Sequence, residues 1–169
     1  MLFIAKFWKN PQFLITLNDV DADDNENCCT VIIALMQKDT RLKRLETGND
    51  SEESIQFRLY KINDDIEINQ TRSSGLRLYA NQSVRIGSSG SYINSREVTK
   101  RFKVRPGNYV IIPSTYEDDR ECDFLLRILT EQDIEANSLD EHKEELVSTY
   151  RGIYQVSFNN VKYLIFFKG

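Results

Sequence analysis

The stretch that most constrains this chain is a nine-residue apolar run, Cys28 to Met36 (CCTVIIALM), with opposite charge at its two ends. Asp19, Asp21, Asp23, Asp24 and Glu26 precede it, and Lys38, Arg41, Lys43 and Arg44 follow it. The run is short, rich in β-branched residues and bounded by polar turn formers, which favours a buried strand over a helix. At roughly 3.3 Å per residue it would hold its ends about 30 Å apart. The acidic and basic segments are therefore expected at opposite ends of one strand, each with its own partner. Such a stretch reads as a connector and not as a closed site.

The rest of the chain repeats the strand signal. Asn10-Pro11 disfavours helix at Asn10, so the chain enters extended, and Phe13, Ile15 and Leu17 alternate with Leu14 and Thr16. Ile55 to Ile62 alternates apolar and polar residues, as expected of a strand with one face in a core and one in water. Leu76 to Tyr79 and Val84 to Ile86 read as two short strands around an Asn81-Gln82 turn, and Gly87 to Ser91 as a flexible connection. Val98 to Val104 and Tyr109 to Ile112 flank a Pro106-Gly107 turn, with Pro113 expected to close the second strand. Thr115 to Cys122 is a second acidic loop, carrying Glu117, Asp118, Asp119 and Glu121, and Phe124 to Thr130 is a further strand. No helical period stands out between residues 7 and 131. Short strands at this spacing predict an all-β fold, an antiparallel β-sandwich of eight strands.

Residues 132–169 form a tail of different character. Ser138 to Glu141 has capping-box spacing, which predicts a short helix near 139–147, and Tyr154 to Tyr163 resembles a hairpin around Asn159-Asn160. Leu164 to Phe167 is apolar enough that it must pack on something or pair with another chain.

Composition narrows the function classes. The chain has 169 residues, 40% apolar and 28% charged, enough for one domain with a real core. A net charge of −4 argues against a general nucleic-acid binder. Three cysteines, two of them adjacent at Cys28 and Cys29, make no disulfide framework, so a reduced, cytoplasmic setting is expected. The opening MLFIAK lacks the charge order of a signal peptide, and no stretch reaches membrane-spanning length. His142, the single histidine, sits among Asp140, Glu141, Glu144 and Glu145 with no cysteine near it. No nucleophile, base and orienting group can be assembled, and catalysis by this chain is not expected.

Four segments together resemble a known family: Phe7 to Phe13 (FWKNPQF), Val31 to Lys38 (VIIALMQK), Phe102 to Glu117 (FKVRPGNYVIIPSTYE) and Asp123 to Ile128 (DFLLRI). They look like the calpain-type β-sandwich, the domain that follows the papain-like core in calcium-dependent cysteine proteases, and they occur in the family's order across residues 7–131. The resemblance implies a sandwich similar to calcium- and lipid-binding modules and a regulatory, non-catalytic role beside a protease core. It places an acidic loop at Asp19 to Glu26 and a basic one at Lys38 to Arg44. The family's protease core and penta-EF-hand domain have no counterpart here, since no D-x-[DN]-x-[DN]-G loop occurs.

Calcium takes six to eight hard oxygen ligands, and Asp19, Asp21 and Asp23 alternate so that their side chains can converge on one ion, with Asp24 and Glu26 completing the set. Glu117, Asp118 and Asp119 would contribute if they lie at the same end. The competing reading is a solvated acidic loop that acts as a salt-bridge partner for lysines elsewhere. Lys38, Arg41, Lys43 and Arg44 can dock onto an acidic neighbouring domain or, at roughly 1 kcal/mol per basic residue, onto anionic phospholipid, which would recruit the chain to a membrane. The alternative overall is a stand-alone interaction or self-association module without calcium dependence.

Overall fold

The computed structural model describes residues 7–18, 27–38, 40–48, 52–66, 77–118, 120 and 122–130, together with the backbone of 136–138, 153–158 and 161–167. Its strands are β1 (Phe13–Leu17), β2 (Cys29–Gln37), β3 (Ser54–Ile62), β4 (Ser83–Ser88), β5 (Ile93–Asn94), β6 (Glu97–Val104), β7 (Gly107–Thr115), β8 (Phe124–Thr130), β9 (Ala136–Ser138), β10 (Ile153–Phe158) and β11 (Val161–Phe167). They form two antiparallel sheets, one in the order β4-β3-β7-β1-β9 with β5 on β3, the other β10-β11-β8-β2-β6. The all-β sandwich is the fold.

The inner faces meet in a core of alternating side chains. Phe13 and Ile15 of β1, Val31 and Ile33 of β2, Phe57 and Leu59 of β3, Ile111 of β7, and Leu126 and Ile128 of β8 are all fully buried there. Edge-to-face ring pairs cross the gap, Phe13 with Phe124 at 6.0 Å and Phe57 with Phe102 at 6.3 Å between centroids. Cys29 is buried in this core while Cys28 is half-exposed, as alternation along a strand requires.

The first sheet is also covered on its outer face. Trp8, Leu14, Tyr60, Ile62, Leu78, Val110 and Ile112 form a second buried cluster, with Phe7 and Ile66 against it. The expectation that β3 turns one face to water is corrected here: Tyr60 and Ile62 are buried in this outer cluster, and Gln56 is buried with its amide bonded to the Gly90 carbonyl. Arg77 fastens the cover by donating to the carbonyl oxygens of Trp8, Lys9 and Asn10. Buried Gln12 donates to the Trp8 and Leu78 carbonyls and accepts from the Leu78 N–H at 2.9 Å.

Four local expectations also change. A helix, α1 (Thr40–Thr47), occupies the basic segment. Its sequence, TRLKRLET, is made largely of good helix formers, and Gly48, at φ 69°, ends it with an N–H bond to the Arg44 carbonyl at 2.9 Å. No core face betrays it in sequence, because Leu42 and Leu45 are both exposed. The expected strand over Leu76 to Tyr79 is not one in its described part, 77–79; a short 3-10 helix at Ala80–Gln82 follows, capped by bonds between Tyr79 and Gln82. Gly87 and Ser88 belong to β4 instead of a flexible connection, and the Ser89 N–H is bound to the Phe57 carbonyl at 3.0 Å. Pro113 lies within β7, beyond the last β1 partner at Phe13↔Ile111, where the strand has a neighbour on one side only and a missing N–H is tolerated.

The tail joins both sheets. β9 pairs with β1, while β11 pairs with β8 from Lys162↔Thr130 to Phe167↔Leu125 and with β10 in the expected hairpin. The apolar Leu164 to Phe167 thus has backbone partners within its own chain. The helix expected near 139–147 lies outside the described residues, as does His142.

Two substitutions test this packing. A Cβ on Gly87 would come within 2.9 Å of the Phe102 ring, itself held against Phe57, so Gly87→Ala should cost about 1 kcal/mol in denaturant unfolding. Tyr109 is buried, and its hydroxyl donates to the Arg105 carbonyl at 2.6 Å. Burial first, then the thiols of Cys29 and Cys28 and the Asp64 carboxylate, push its pKa up to about 12. The folded state therefore holds this proton more tightly than the unfolded chain, whose phenol titrates near 10. The resulting stability is complete below pH 10 and is lost as pH rises to 12. Tyr109→Phe should flatten that alkaline loss by about 2 kcal/mol, read from urea unfolding at a series of pH values.

Candidate functional site

β2 runs from the acidic segment to the basic one, and its exit is tightly built. Gln37 is buried; its amide Nε2 donates to the carbonyls of Glu53 at 2.8 Å and Ser95 at 2.9 Å, and its Oε1 accepts the Glu53 N–H at 2.9 Å. The Gln37 N–H bonds the Arg96 carbonyl and the Lys38 N–H bonds the Asp123 carbonyl at 2.8 Å. One side chain thus ties the loops before β3 and β6 to the point where the basic segment starts. Thr40 is buried at the head of α1, while Arg41 and Arg44 are exposed. Arg44 stands in the last helical turn, where a cation is favoured by the helix dipole. The side chain of Lys43 lies outside the described residues.

The second acidic segment leaves β7 at this same end. Thr115 is paired with Ile55, Phe124 with Gln37, and the Tyr116 N–H bonds the Ser54 carbonyl at 2.8 Å. Glu117 accepts from Arg120 at 3.0 Å, with both side chains exposed. The Thr115 hydroxyl holds the turn by donating to the carbonyls of Glu117 and Arg120, both at 3.1 Å. Asp118 is exposed beside them, and Asp119 lies outside the described residues.

The strands flanking the first acidic segment end elsewhere. Leu17 is paired with Gly107 and Cys29 with Val104, at the opposite end of β7 and β6 from Thr115 and Glu97. The nine-residue β7 separates the two ends by about 30 Å at roughly 3.3 Å per residue. Asp19, Asp21, Asp23, Asp24 and Glu26 themselves lie outside the described residues. The ends of the flanking strands stand a full strand length from Glu117 and Asp118. What shares an end is the second acidic segment and the basic helix. Among the described residues no three His, Cys, Asp or Glu side chains gather as a metal-binding group.

Sequence reading passed over a groove of about 910 Å³ that runs from the outer face of the first sheet, beside the covering segment at Phe7 to Pro11, around the β7 end to Leu35, Gln37 and Phe124 of the second sheet. Arg58 and Arg85 stand in it, from β3 and β4. The only signal for it was an arginine alternating with Tyr60 on a strand face that looked solvated.

Residues 2–129 match the family described as Calpain large subunit, domain III. The chain belongs to that family. Calpain-A of Drosophila melanogaster is 42% identical over 141 residues, which are 83% of this chain and 16% of that protein. Calpain clp-1 of Caenorhabditis elegans is 41% identical over 137 residues, 81% of this chain and 16% of that protein. The human Calpain-2 catalytic subunit is 34% identical over 140 residues, 82% of this chain and 20% of that protein. The chain thus spans no more than a fifth of the curated relatives it matches, and the calpain domain III match stops just short of the tail strands.

The Gln37 tie is open to test. Gln37→Leu keeps the volume but removes three hydrogen bonds and strands the Glu53 N–H, which should cost about 1–3 kcal/mol. Faster amide exchange at Glu53, with the Leu17 end unchanged, is the expected signature.

Proposed function

We propose that this chain is the non-catalytic regulatory sandwich of a calpain-type, calcium-dependent cysteine protease of the cytoplasm. Its membership of the calpain domain III family carries the reading. In the intact protease the carboxylates of Asp19, Asp21, Asp23, Asp24 and Glu26 form salt bridges to lysines of the protease core and hold the core in its resting arrangement. That donor set, five hard oxygen-bearing side chains within eight residues, fits calcium. Bound calcium supplies neutralisation of the segment's charge. The switch needs differential affinity: the segment must hold calcium more tightly when released from the core than when paired with it. Glu117, Asp118 and Asp119 are assigned to a separate surface at the other end.

The basic end carries the second contact. Lys38, Arg41, Lys43 and Arg44 dock on an acidic face of a neighbouring domain, with anionic phospholipid as the next partner and a route to membrane recruitment. Placing the two contacts at opposite ends of β2 lets one rigid sandwich touch two neighbours at once.

Calorimetric calcium titration of the chain tests the reading, run in parallel on the Asp21→Asn, Asp23→Asn, Asp24→Asn variant. Saturable binding in the parent and none in the variant is expected. In the intact protease the same variant should lower the calcium concentration needed for activity. An unchanged requirement would sink the switch.

A further inference from the structure

The groove holds two guanidinium groups, Arg58 and Arg85, with no carboxylate partner among the described residues. Arg58 is half-buried; its Nε donates to the Gln56 side-chain oxygen at 2.9 Å and its plane lies 4.3 Å from the Phe7 ring centroid. Arg85 is exposed, and its contact is the Ser88 hydroxyl at 3.3 Å. Neither forms an ion pair among the described residues. Arg85 stands opposite Tyr60 and Arg58 opposite Ser88, with a β-bulge between the two pairs, and both arginines line the same groove. Like charges so placed repel. A carboxylate between them would relieve that repulsion and accept charge-assisted hydrogen bonds from both.

The surroundings say what kind of anion. Phe7 and Trp8 wall one side, Tyr92 and Tyr116 pack edge-to-face at 5.5 Å on another, and Pro11 and Pro113 line it between. At about 910 Å³ the groove is far larger than a free inorganic anion needs and suits several residues of an extended chain. The Ser83 hydroxyl lines it too and is buried without a hydrogen-bond partner. Lys9, Arg58, Arg85 and Arg120 line the groove against the carboxylates of Glu117 and Asp118, and Arg120 is paired with Glu117, so the balance of charge on the lining is positive.

We propose that this groove binds an acidic peptide segment of a partner protein, with carboxylates taken by Arg58 and Arg85 and apolar side chains set against the aromatic walls. The planar fork of arginine matches a carboxylate in two bonds, and aromatic walls add contact area at small entropic cost. The chain carries a net charge of −4, so its overall field opposes an acidic ligand and only local recognition can hold one. The proposal stands apart from the calcium switch and uses none of its residues.

Trp8 is the single tryptophan and lines the groove, so its fluorescence reports occupancy directly. The experiment is titration of the full 169-residue chain with a blocked peptide, Glu-Glu-Phe-Glu-Glu-Leu, and with its lysine-for-glutamate counterpart. A saturable response to the acidic peptide alone is expected, weakened about tenfold in Arg58→Gln and in Arg85→Gln, and weakened by salt. Arg85 is exposed, so Arg85→Gln decides the matter even if Arg58→Gln disturbs the Phe7 contact and folds poorly. No saturable response, or an equal response in the Arg85→Gln variant, overturns the proposal. So does a result in which phosphatidylserine vesicles bind through the two arginines while the peptide does not, which would make the groove a lipid site.

Discussion

Everything in this sandwich depends on one sheet being buried on both faces. β1 and β7 have apolar side chains on alternating sides, Phe13 and Ile111 facing the other sheet, Leu14, Val110 and Ile112 facing outward. An outward apolar face demands a cover, and no sheet supplies one there. The cover consists of irregular segments, and irregular chain leaves backbone groups that must be bonded to something. Gln12 and Arg77 meet that demand, satisfying the carbonyls of Trp8, Lys9, Asn10 and Leu78. Gln37 does the same work at the edge of the core, for Glu53 and Ser95. Two buried amides thus let loops lie where a third layer would otherwise be needed.

This arrangement also explains where function can sit. The cover stops short of the β7 end, and the gap it leaves is the groove with Arg58 and Arg85. The two ends of the sandwich are chemically different. One receives the strands that flank Asp19 to Glu26; the other gathers α1, Glu117 and Arg120 around the start of β8. A strand is a stiff spacer, so contacts made at the two ends are geometrically independent while remaining mechanically joined through β2.

The legible parts were those whose signal is local. Alternation in β1, β3 and β6, the Pro106-Gly107 turn, the β10–β11 hairpin and the apolar run of β2 all declare themselves within ten residues. Helix α1 was not, because its leucines face solvent and no apolar stripe marks it. Nor was the covering of β3, since Tyr60 looks like a solvent residue until Phe7 and Trp8, about fifty positions away, pack against its ring. The distance between the strand ends that flank the two acidic segments depends on strand direction, which no short stretch encodes. The arginines of the groove fell into the same gap: each is unremarkable alone, and only the β3–β4 pairing sets them in one groove.

The position of β2 has a consequence for how the chain is made. Its two sheet neighbours are β6 and β8, which begin at Glu97 and Phe124. While a ribosome is still adding those strands, the apolar nine-residue run has emerged and has nothing to pair with. Non-local pairing of this kind is slow, and an unpaired apolar strand is a site for sticking to other chains. The charges at its ends then serve an earlier purpose than any in the finished fold. Acids before the run and bases after it act as gatekeepers, keeping the nascent segment in solution until its partners arrive.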